Sequence, residues 1–228
     1  QVRAIFDYPS GKTAMFFNPR WRELFGYIVP EGSNGICRIG LATREKPHIA
    51  IKQFLKNLNI EDPQIVDRQG GLIPYGFPRR IAFQNSVLLG DSACMVKATT
   101  GGGIVMLITA AKQLIKAIER ALQTNDFSAK FFKRHYQSPI KRTIGIQLKV
   151  HYFIRLLLAN LTRYDFNHFF KLYQTTELHV LIDRFADMDF PLLLFQRLIR
   201  NTTFIRFLIH VFFRNWILIP RFLHDIVL

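Results

Sequence analysis

One stretch in the middle of the chain constrains the fold more than any other. Three apolar residues, 87–89, run directly into Gly90 and Asp91, which predicts a short buried strand that ends in a turn. A loop of small residues follows, and Thr100, three glycines and Ile104 then open a long apolar helix. This order of strand, acidic turn, glycine loop and helix N-terminus suits an extended polar cofactor. The alternative is an Asp turn and a glycine-started helix in an ordinary α/β domain.

The residue types in this stretch favour the cofactor interpretation. An ionised Asp91 has only hydrogen-bond acceptors, so it suits the hydroxyl groups of a sugar or ribityl chain. Glycines allow the backbone to approach a ligand closely, and the first amides of a helix carry partial positive charge toward an electron-rich group.

The stretch resembles the second flavin-binding motif of the geranylgeranyl reductase family, whose members fold like p-hydroxybenzoate hydroxylase. That family has Gly-Gly-x-Ile-Pro, a spacer, a strand into Gly-Asp-Ala-Ala-Gly, and a Pro-x-Thr-Gly-Gly-Gly-Ile loop before a helix. The matching segments here are residues 70–74, 87–93 and 99–104, with Cys94 at a usual glycine and Lys97 at a polar loop position. The resemblance implies FAD as the cofactor, bound by Gly90, Asp91, Thr100, Gly101, Gly102, Gly103 and Ile104.

A weaker match lies upstream, at residues 25–32. The family has a substrate-contacting strand of the form aromatic-x-Trp-x-Phe-Pro-Lys-Gly; here Tyr27 replaces the Trp, and Glu31 replaces the Lys. The resemblance implies that this strand lines a lipid tunnel through Phe25, Tyr27, Val29 and Pro30.

The hydrophobic patterns predict an α+β chain. Two β-hairpins are expected, the first from residues 2–8 and 12–18 and the second from residues 24–30 and 35–42, followed by a helix over 48–58. Residues 66–73 and 81–83 are expected to be extended. Helices are predicted over 104–122, 127–136 and 144–161, with a break at 181–191 before the last helices.

Three regions follow from these patterns. Residues 1–80 are predicted to be an antiparallel substrate-binding sheet with one helix, and residues 81–125 the second half of an FAD-binding α/β domain. Residues 126–228 are predicted to form a C-terminal helical region. No Gly-x-Gly-x-x-Gly occurs, and Gln1 opens directly onto a β pattern. We therefore expect the C-terminal portion of a longer enzyme, which binds its cofactor poorly and is inactive alone.

The charge points to an anionic partner surface. The formal net charge is +15, and residues 203–219 are rich in large apolar side chains but interrupted by Arg206, His210 and Arg214, so a spanning helix is not expected. A basic stripe is predicted on one side of this helix, formed by Arg200, Arg206, His210, Arg214 and Arg221. The helix lies in a membrane interface or packs on the protein with solvated arginines; both alternatives stay open. The expected location is cytoplasmic and peripheral to a membrane.

Other site types are not supported. Residues 130–136 mix basic and aromatic side chains, but at helical spacing the aromatics form a buried stripe, so no nucleic-acid partner is expected. The histidines lack metal-ligand spacing, and no Gly-x-Ser-x-Gly occurs, which leaves a metal site and a hydrolase without support. Cys94 lies near the expected flavin ring, where a small residue filling a tight turn is the favoured explanation over a contact with substrate.

The resemblance implies an FAD-dependent oxidoreductase that reduces C=C bonds of a prenyl lipid by hydride transfer from reduced flavin. The electron donor would be NAD(P)H or ferredoxin, and no residue is identified as a proton donor. The alternatives are a flavin monooxygenase or halogenase of the same fold group, and a non-catalytic truncated relative that binds lipid or membrane.

Overall fold

A computed structural model describes residues 1–18, 21, 24–32, 34–76 and 78–214 of the chain. The described residues divide into two compact units, Gln1–Leu72 and Ile73–Leu228. This part of the chain contains an antiparallel sheet and nine α-helices, which confirms the α+β prediction. The regions predicted as 81–125 and 126–228 both fall in the second unit, and the three-part division stays a prediction.

The first unit is built on a five-stranded antiparallel sheet with the strand order β2-β3-β4-β1-β5. Its elements are β1 (Val2–Ile5), β2 (Ala14–Phe16), β3 (Gly26–Pro30), β4 (Ile36–Leu41), α1 (Pro47–Asn57) and β5 (Gln64–Arg68). The second predicted hairpin and the helix after it are confirmed, since β3 pairs with β4 and α1 follows them.

The first predicted hairpin is wrong in its pairing. β1 lies between β4 and β5, whereas β2 pairs with β3 at the edge of the sheet. Alternation of apolar residues identifies a strand and its buried face but not its partner. Val2 and Ala4 lie opposite Ile39 and Cys37, and all four side chains are buried, so the central position of β1 is fixed by burial on one face.

One aromatic side chain of α1 fills the core of the first unit. Phe54 is 1% exposed and makes edge contacts with the rings of Trp21 and Phe16, at centroid distances of 5.3 Å and 5.5 Å. The ring also packs directly over Gly26 of β3, where an added Cβ would lie 2.4 Å from Cζ of Phe54. A glycine at residue 26 is therefore what allows α1 to approach the sheet.

The second unit begins with a small β-hairpin and continues as helices. Its elements are β6 (Ala82–Phe83), β7 (Ser86–Val87), α2 (Ile104–Thr124), α3 (Ala129–Phe132), a π-helical turn (Lys133–Gln137), α4 (Ser138–Arg142), α5 (Ile144–Asn160), α6 (Arg163–Thr175), α7 (Leu178–Phe185), α8 (Leu192–Leu198) and α9 (Thr202–Arg214). The predicted helix over 127–136 is thus divided between α3 and the π-helical turn. The break predicted at 181–191 begins later than expected, because α7 continues to Phe185 and residues 186–191 separate it from α8.

Helix α2 organises the core of this unit along one side only. Met106, Ala110 and Ala117 are almost fully buried, and they pack in one cluster with Tyr136 and Ile144. The opposite side of α2 carries large apolar side chains that are exposed: Ile104, Ile108, Ile115, Ile118 and Leu122. Helix α2 is therefore apolar on two sides, and within the described residues other elements pack against only one of them.

Helix α9 buries its apolar face against other helices. Phe204, Phe207, Leu208 and Val211 are buried in one cluster with residues of the preceding helices. This packing matches the second of the two alternatives for the segment, a helix on the protein core. Of the predicted basic stripe, Arg200 precedes the helix and Arg221 lies outside the described residues.

Arg214 at the end of α9 does not point freely to solvent. It donates to the carboxylate of Asp165, which also accepts from the backbone N–H and the hydroxyl of Thr162 at the start of α6. Burial alone would raise the pKa of Asp165, but the bonds from Arg214 and Thr162 outweigh it and lower the pKa. No helix in the described part of the chain combines the length and hydrophobicity required to cross a membrane.

Candidate functional site

The acidic turn folds as predicted into a tight bend that exposes its carboxylate. The strand before it is shorter than the predicted buried strand over 87–89, since β7 ends at Val87 and residues 87–89 are only half-buried. Residues Gly90–Ala93 form one 3-10 turn, in which Gly90 has a φ of +66°. The backbone N–H of Cys94 donates to the carbonyl of Asp91 at 2.9 Å, and that of Met95 donates to Gly90 at 3.0 Å. Ala93 and Met95 are buried and fix the turn to the core, while Asp91 faces outward.

The glycine loop is closed by the backbone of Lys97. Its N–H donates to the carbonyl of Gly102 at 3.0 Å, and its carbonyl accepts from the N–H of Gly101 at 2.8 Å. Gly101 has a φ of +73°, a conformation that side chains disfavour. The hydroxyl of Thr100 accepts from the N–H of Gly102 at 3.3 Å, so the predicted residues form one folded loop.

The structure brings the carboxylate of Asp91 to the end of this loop. An added Cβ on Gly103 would lie 3.5 Å from Oδ1 of Asp91 and 3.2 Å from the carbonyl oxygen of Met95. A side chain at residue 103 would therefore fill the space between the acidic turn and the start of α2. The predicted glycine at this position leaves that space open beside the carboxylate.

Hydrogen-bonding groups on both sides of this space are free. Within the described ranges no donor pairs with the carboxylate of Asp91. Helix α2 starts at Ile104 with no side-chain cap and no acidic residue in its first turn, so no side chain accepts a hydrogen bond from its first amides as a cap. Ile104 itself is 75% exposed. The arrangement can accept hydroxyl protons at Asp91 and donate to an electron-rich group at the helix.

An ion pair between a buried lysine and a half-buried aspartate supports the glycine loop. The ammonium group of Lys97 donates to Oδ1 of Asp189 at 2.5 Å, and the side chain of Lys97 is only 10% exposed. Its Cε lies 3.2 Å from the position of a Cβ on Gly102. From the sequence, the segment around Asp189 was interpreted only as a break between helices. No local sequence pattern indicates a contact between two residues that are 92 positions apart.

A histidine gives similar support to Thr99, the residue directly before Thr100 of the glycine loop. His151 is buried on α5, with Nδ1 2.7 Å from the hydroxyl of Thr99 and Nε2 3.3 Å from the carbonyl oxygen of Asp189. Burial lowers the pKa of His151, and the carbonyl of Asp189 opposes the shift only in part. The ring is therefore neutral at neutral pH, donating to that carbonyl and accepting from Thr99.

The residues predicted to line a lipid tunnel lie on and beside β3, in the first unit. Tyr27 is half-buried and donates to Oε1 of Gln1 at 2.6 Å, and its ring contacts that of Phe25 at a centroid distance of 6.4 Å. Burial raises the pKa of Tyr27. Val29 and Pro30 complete the strand and are half-buried. A tunnel along this strand stays a prediction.

Glu31, where the related family has a lysine, has a structural role. Its carboxylate accepts from Arg3 at 2.7 Å and from Arg38 at 2.5 Å. The hydrogen bonds from these two guanidinium groups lower the pKa of Glu31 to about 2. Glu31 thus remains ionised and joins three elements of the sheet region.

Cys94 lies in a backbone conformation that glycine tolerates best, with a φ of +53°. We expect Cys94→Gly to keep or raise the free energy of unfolding of the second unit, since glycine relieves about 1 kcal/mol of left-handed strain. Cys94→Val should lower it by about 2 kcal/mol because a β-branched residue strains most there. Urea denaturation of both variants measures the difference, and a valine variant as stable as the glycine variant would contradict it.

Comparisons with known proteins identify the family of the chain. The family model described as lycopene cyclase protein matches residues 40–208, about three quarters of the chain. A digeranylgeranylglycerophospholipid reductase of Methanococcoides burtonii is 27% identical over 62% of this chain and 36% of its own length. An uncharacterised protein of Methanocaldococcus jannaschii is 23% identical over 77% of this chain and 46% of its own.

A solved structure shows the same fold. The geranylgeranyl bacteriochlorophyll reductase-like protein of Thermoplasma acidophilum superposes with a TM-score of 0.61 at 19% identity, over 71% of this chain and 42% of that one. The chain therefore spans less than half the length of these relatives. The matches confirm the predicted resemblance to geranylgeranyl reductases, and the chain belongs to the lycopene cyclase protein family.

Proposed function

We propose that the chain forms part of an FAD-dependent oxidoreductase that reduces C=C bonds of a prenyl lipid. The observation that carries the proposal is the free carboxylate of Asp91 beside Gly103 and the uncapped start of α2. The similarity to a protein named digeranylgeranylglycerophospholipid reductase supports the substrate class.

The residues present fit a flavin. Asp91 would accept hydrogen bonds from the hydroxyl groups of the ribityl chain, in the space that a Cβ on Gly103 would occupy. The amides after Gly103 would donate to the electron-rich edge of the ring and stabilise negative charge there. When bound, reduced flavin supplies the hydride for the alkene, and the chain supplies position and electrostatics.

The partners form part of the same proposal. The prenyl lipid would contact Phe25 and Tyr27, and the electrons would come from NAD(P)H or ferredoxin. A net charge of +15 supports association with an anionic membrane surface, with the protein peripheral to it on the cytoplasmic side.

A flavin titration tests the proposal. FAD is added to the full chain and its binding is followed by quenching of flavin fluorescence and by the visible absorbance of oxidised flavin. Asp91→Asn removes the charge and keeps the shape, so we expect FAD affinity to fall about tenfold or more.

Glu119→Gln is the matched control, because Glu119 is an exposed carboxylate on α2. We expect this variant to bind FAD as the original chain does. Equal affinities of the Asp91→Asn and original chains would contradict the assignment of Asp91. A chain that leaves the flavin signal unchanged would show that these residues do not bind FAD by themselves.

A further inference from the structure

A second polar site lies on the same unit, at the far half of α2. An open cleft of about 530 Å³ is formed between α2, the π-helical turn and α4. The polar side chains that line it are Gln113, Arg120, Arg134, His135, Ser138 and Arg142. Three guanidinium groups, a histidine and a hydroxyl thus line one concave surface that includes no carboxylate.

The π-helical turn holds this surface in place. Tyr136 is buried and donates to the carbonyl of Leu88 at 2.9 Å, and the buried Gln137 accepts from the N–H of Ile81 at 2.8 Å. These anchors lie on the core side of the turn and leave Arg134 exposed. Turns of this helix type are rare and occur often at functional sites.

A contact across the cleft fixes its two walls to each other. Gln113 of α2 donates to the backbone carbonyl of His135 at 3.0 Å, and Arg120 lies 3.4 Å from Nδ1 of the same residue. The cleft is therefore preorganised, which reduces the entropy lost when a ligand binds.

The arginines of the cleft have no carboxylate partner among the described residues. In the described portion of the chain, neither Arg120 nor Arg134 nor Arg142 forms an ion pair with a carboxylate. The carboxylate of Asp126, which interacts with His135 electrostatically, already accepts from the N–H of Ser128 at 2.9 Å. Unpaired arginines on one surface attract an anion that can accept several N–H donors.

We propose that this cleft binds a phosphate group. Phosphate matches the fork of N–H donors that a guanidinium presents, and three such forks exceed what a single carboxylate requires. The site is separate from the glycine loop, because Gln113 follows Gly103 by ten residues on one helix, a rise of about 15 Å. The proposal does not rest on the proposed flavin chemistry.

Titration with inorganic phosphate at low ionic strength tests the site in the full chain, by calorimetry. We expect saturable binding that the double variant Arg134→Gln/Arg142→Gln weakens at least tenfold, since each lost group is a charge-assisted donor. Arg163→Gln/Lys171→Gln is the matched control: it removes the same charge from two exposed positions on α6 and should bind as the original chain does. Circular dichroism verifies that both variants are folded.

Vesicles distinguish a free phosphate from the headgroup of a lipid. Cosedimentation is measured with vesicles of phosphatidylcholine alone and with added phosphatidic acid, for the same three proteins. If the Arg134/Arg142 variant loses binding to the acidic vesicles and the control keeps it, the site binds a lipid headgroup. If the chain binds inorganic phosphate but not the acidic vesicles, the site binds a free phosphate compound. Equal losses in both variants, or no binding of either probe, would overturn the proposal.

Discussion

Replacing Asp189 with alanine is expected to lower the free energy of unfolding of the second unit by about 3 kcal/mol, because the ammonium of Lys97 is left buried without its counter-charge. The side chain of Asp189 is 27% exposed, so the value lies at the lower end of the range for buried pairs. Urea denaturation followed by circular dichroism measures the change. Glu119→Ala, which removes an exposed carboxylate from the same unit, should change stability by less than about 0.5 kcal/mol.

Replacing the whole pair should be far less harmful than breaking it. In Lys97→Met/Asp189→Leu no uncompensated charge remains, so we expect most of the lost stability to return. The interaction energy from the cycle of Lys97→Met, Asp189→Leu and the double variant separates the contribution of the ion pair from a general loss of packing. A single Asp189→Ala variant within about 1 kcal/mol of the original chain would show that the pair behaves as a surface ion pair.

Phe54→Ala is expected to lower the free energy of unfolding of the first unit by about 4 kcal/mol, since it empties the space between α1 and the sheet. Phe54 is 1% exposed and contacts Trp21 and Phe16. Hydrogen exchange of the amides of β3 and β4 reports the stability of this unit separately from that of the second. Unchanged exchange at these amides would contradict the central position of Phe54.

The contact between Phe54 and Gly26 provides an independent check on the same core. Gly26→Ala is expected to lower stability by about 2 kcal/mol, because its Cβ would lie 2.4 Å from Cζ of Phe54. In a Phe54→Leu background the same substitution should have a smaller effect, since the shorter side chain leaves room. Gly11→Ala is the control: no atom lies within 4 Å of its added Cβ, so stability should stay nearly unchanged.

The sequence was sufficient for elements whose signal is local. The turn at Gly90 and Asp91, the glycine loop and α2 lie where the pattern predicts them, because strand ends, glycines and helix starts are specified by neighbouring residues. The hairpin of β3 and β4 is predicted for the same reason, since a short loop joins two alternating segments.

The contacts that the sequence did not predict join distant residues. The pairing of β1 with β4 and β5, the ion pair of Lys97 with Asp189, and the contact of Arg214 with Asp165 all depend on how elements pack. The basic cleft was missed because its arginines come from three elements, α2, the π-helical turn and α4, and residues 130–136 were interpreted only as a buried aromatic stripe. The charges on one helix do not indicate which charges another helix places opposite them in the folded protein.

The ion pair behind the glycine loop also has a consequence for the order of folding. Lys97 and Asp189 are 92 residues apart in sequence, so the loop acquires its support only after most of the second unit has been synthesised. Contacts of such long sequence separation form late, because the entropy of closing the intervening chain is lost before the contact stabilises the fold. During synthesis on the ribosome, the turn of Asp91 and the start of α2 therefore emerge long before the residue that completes their setting.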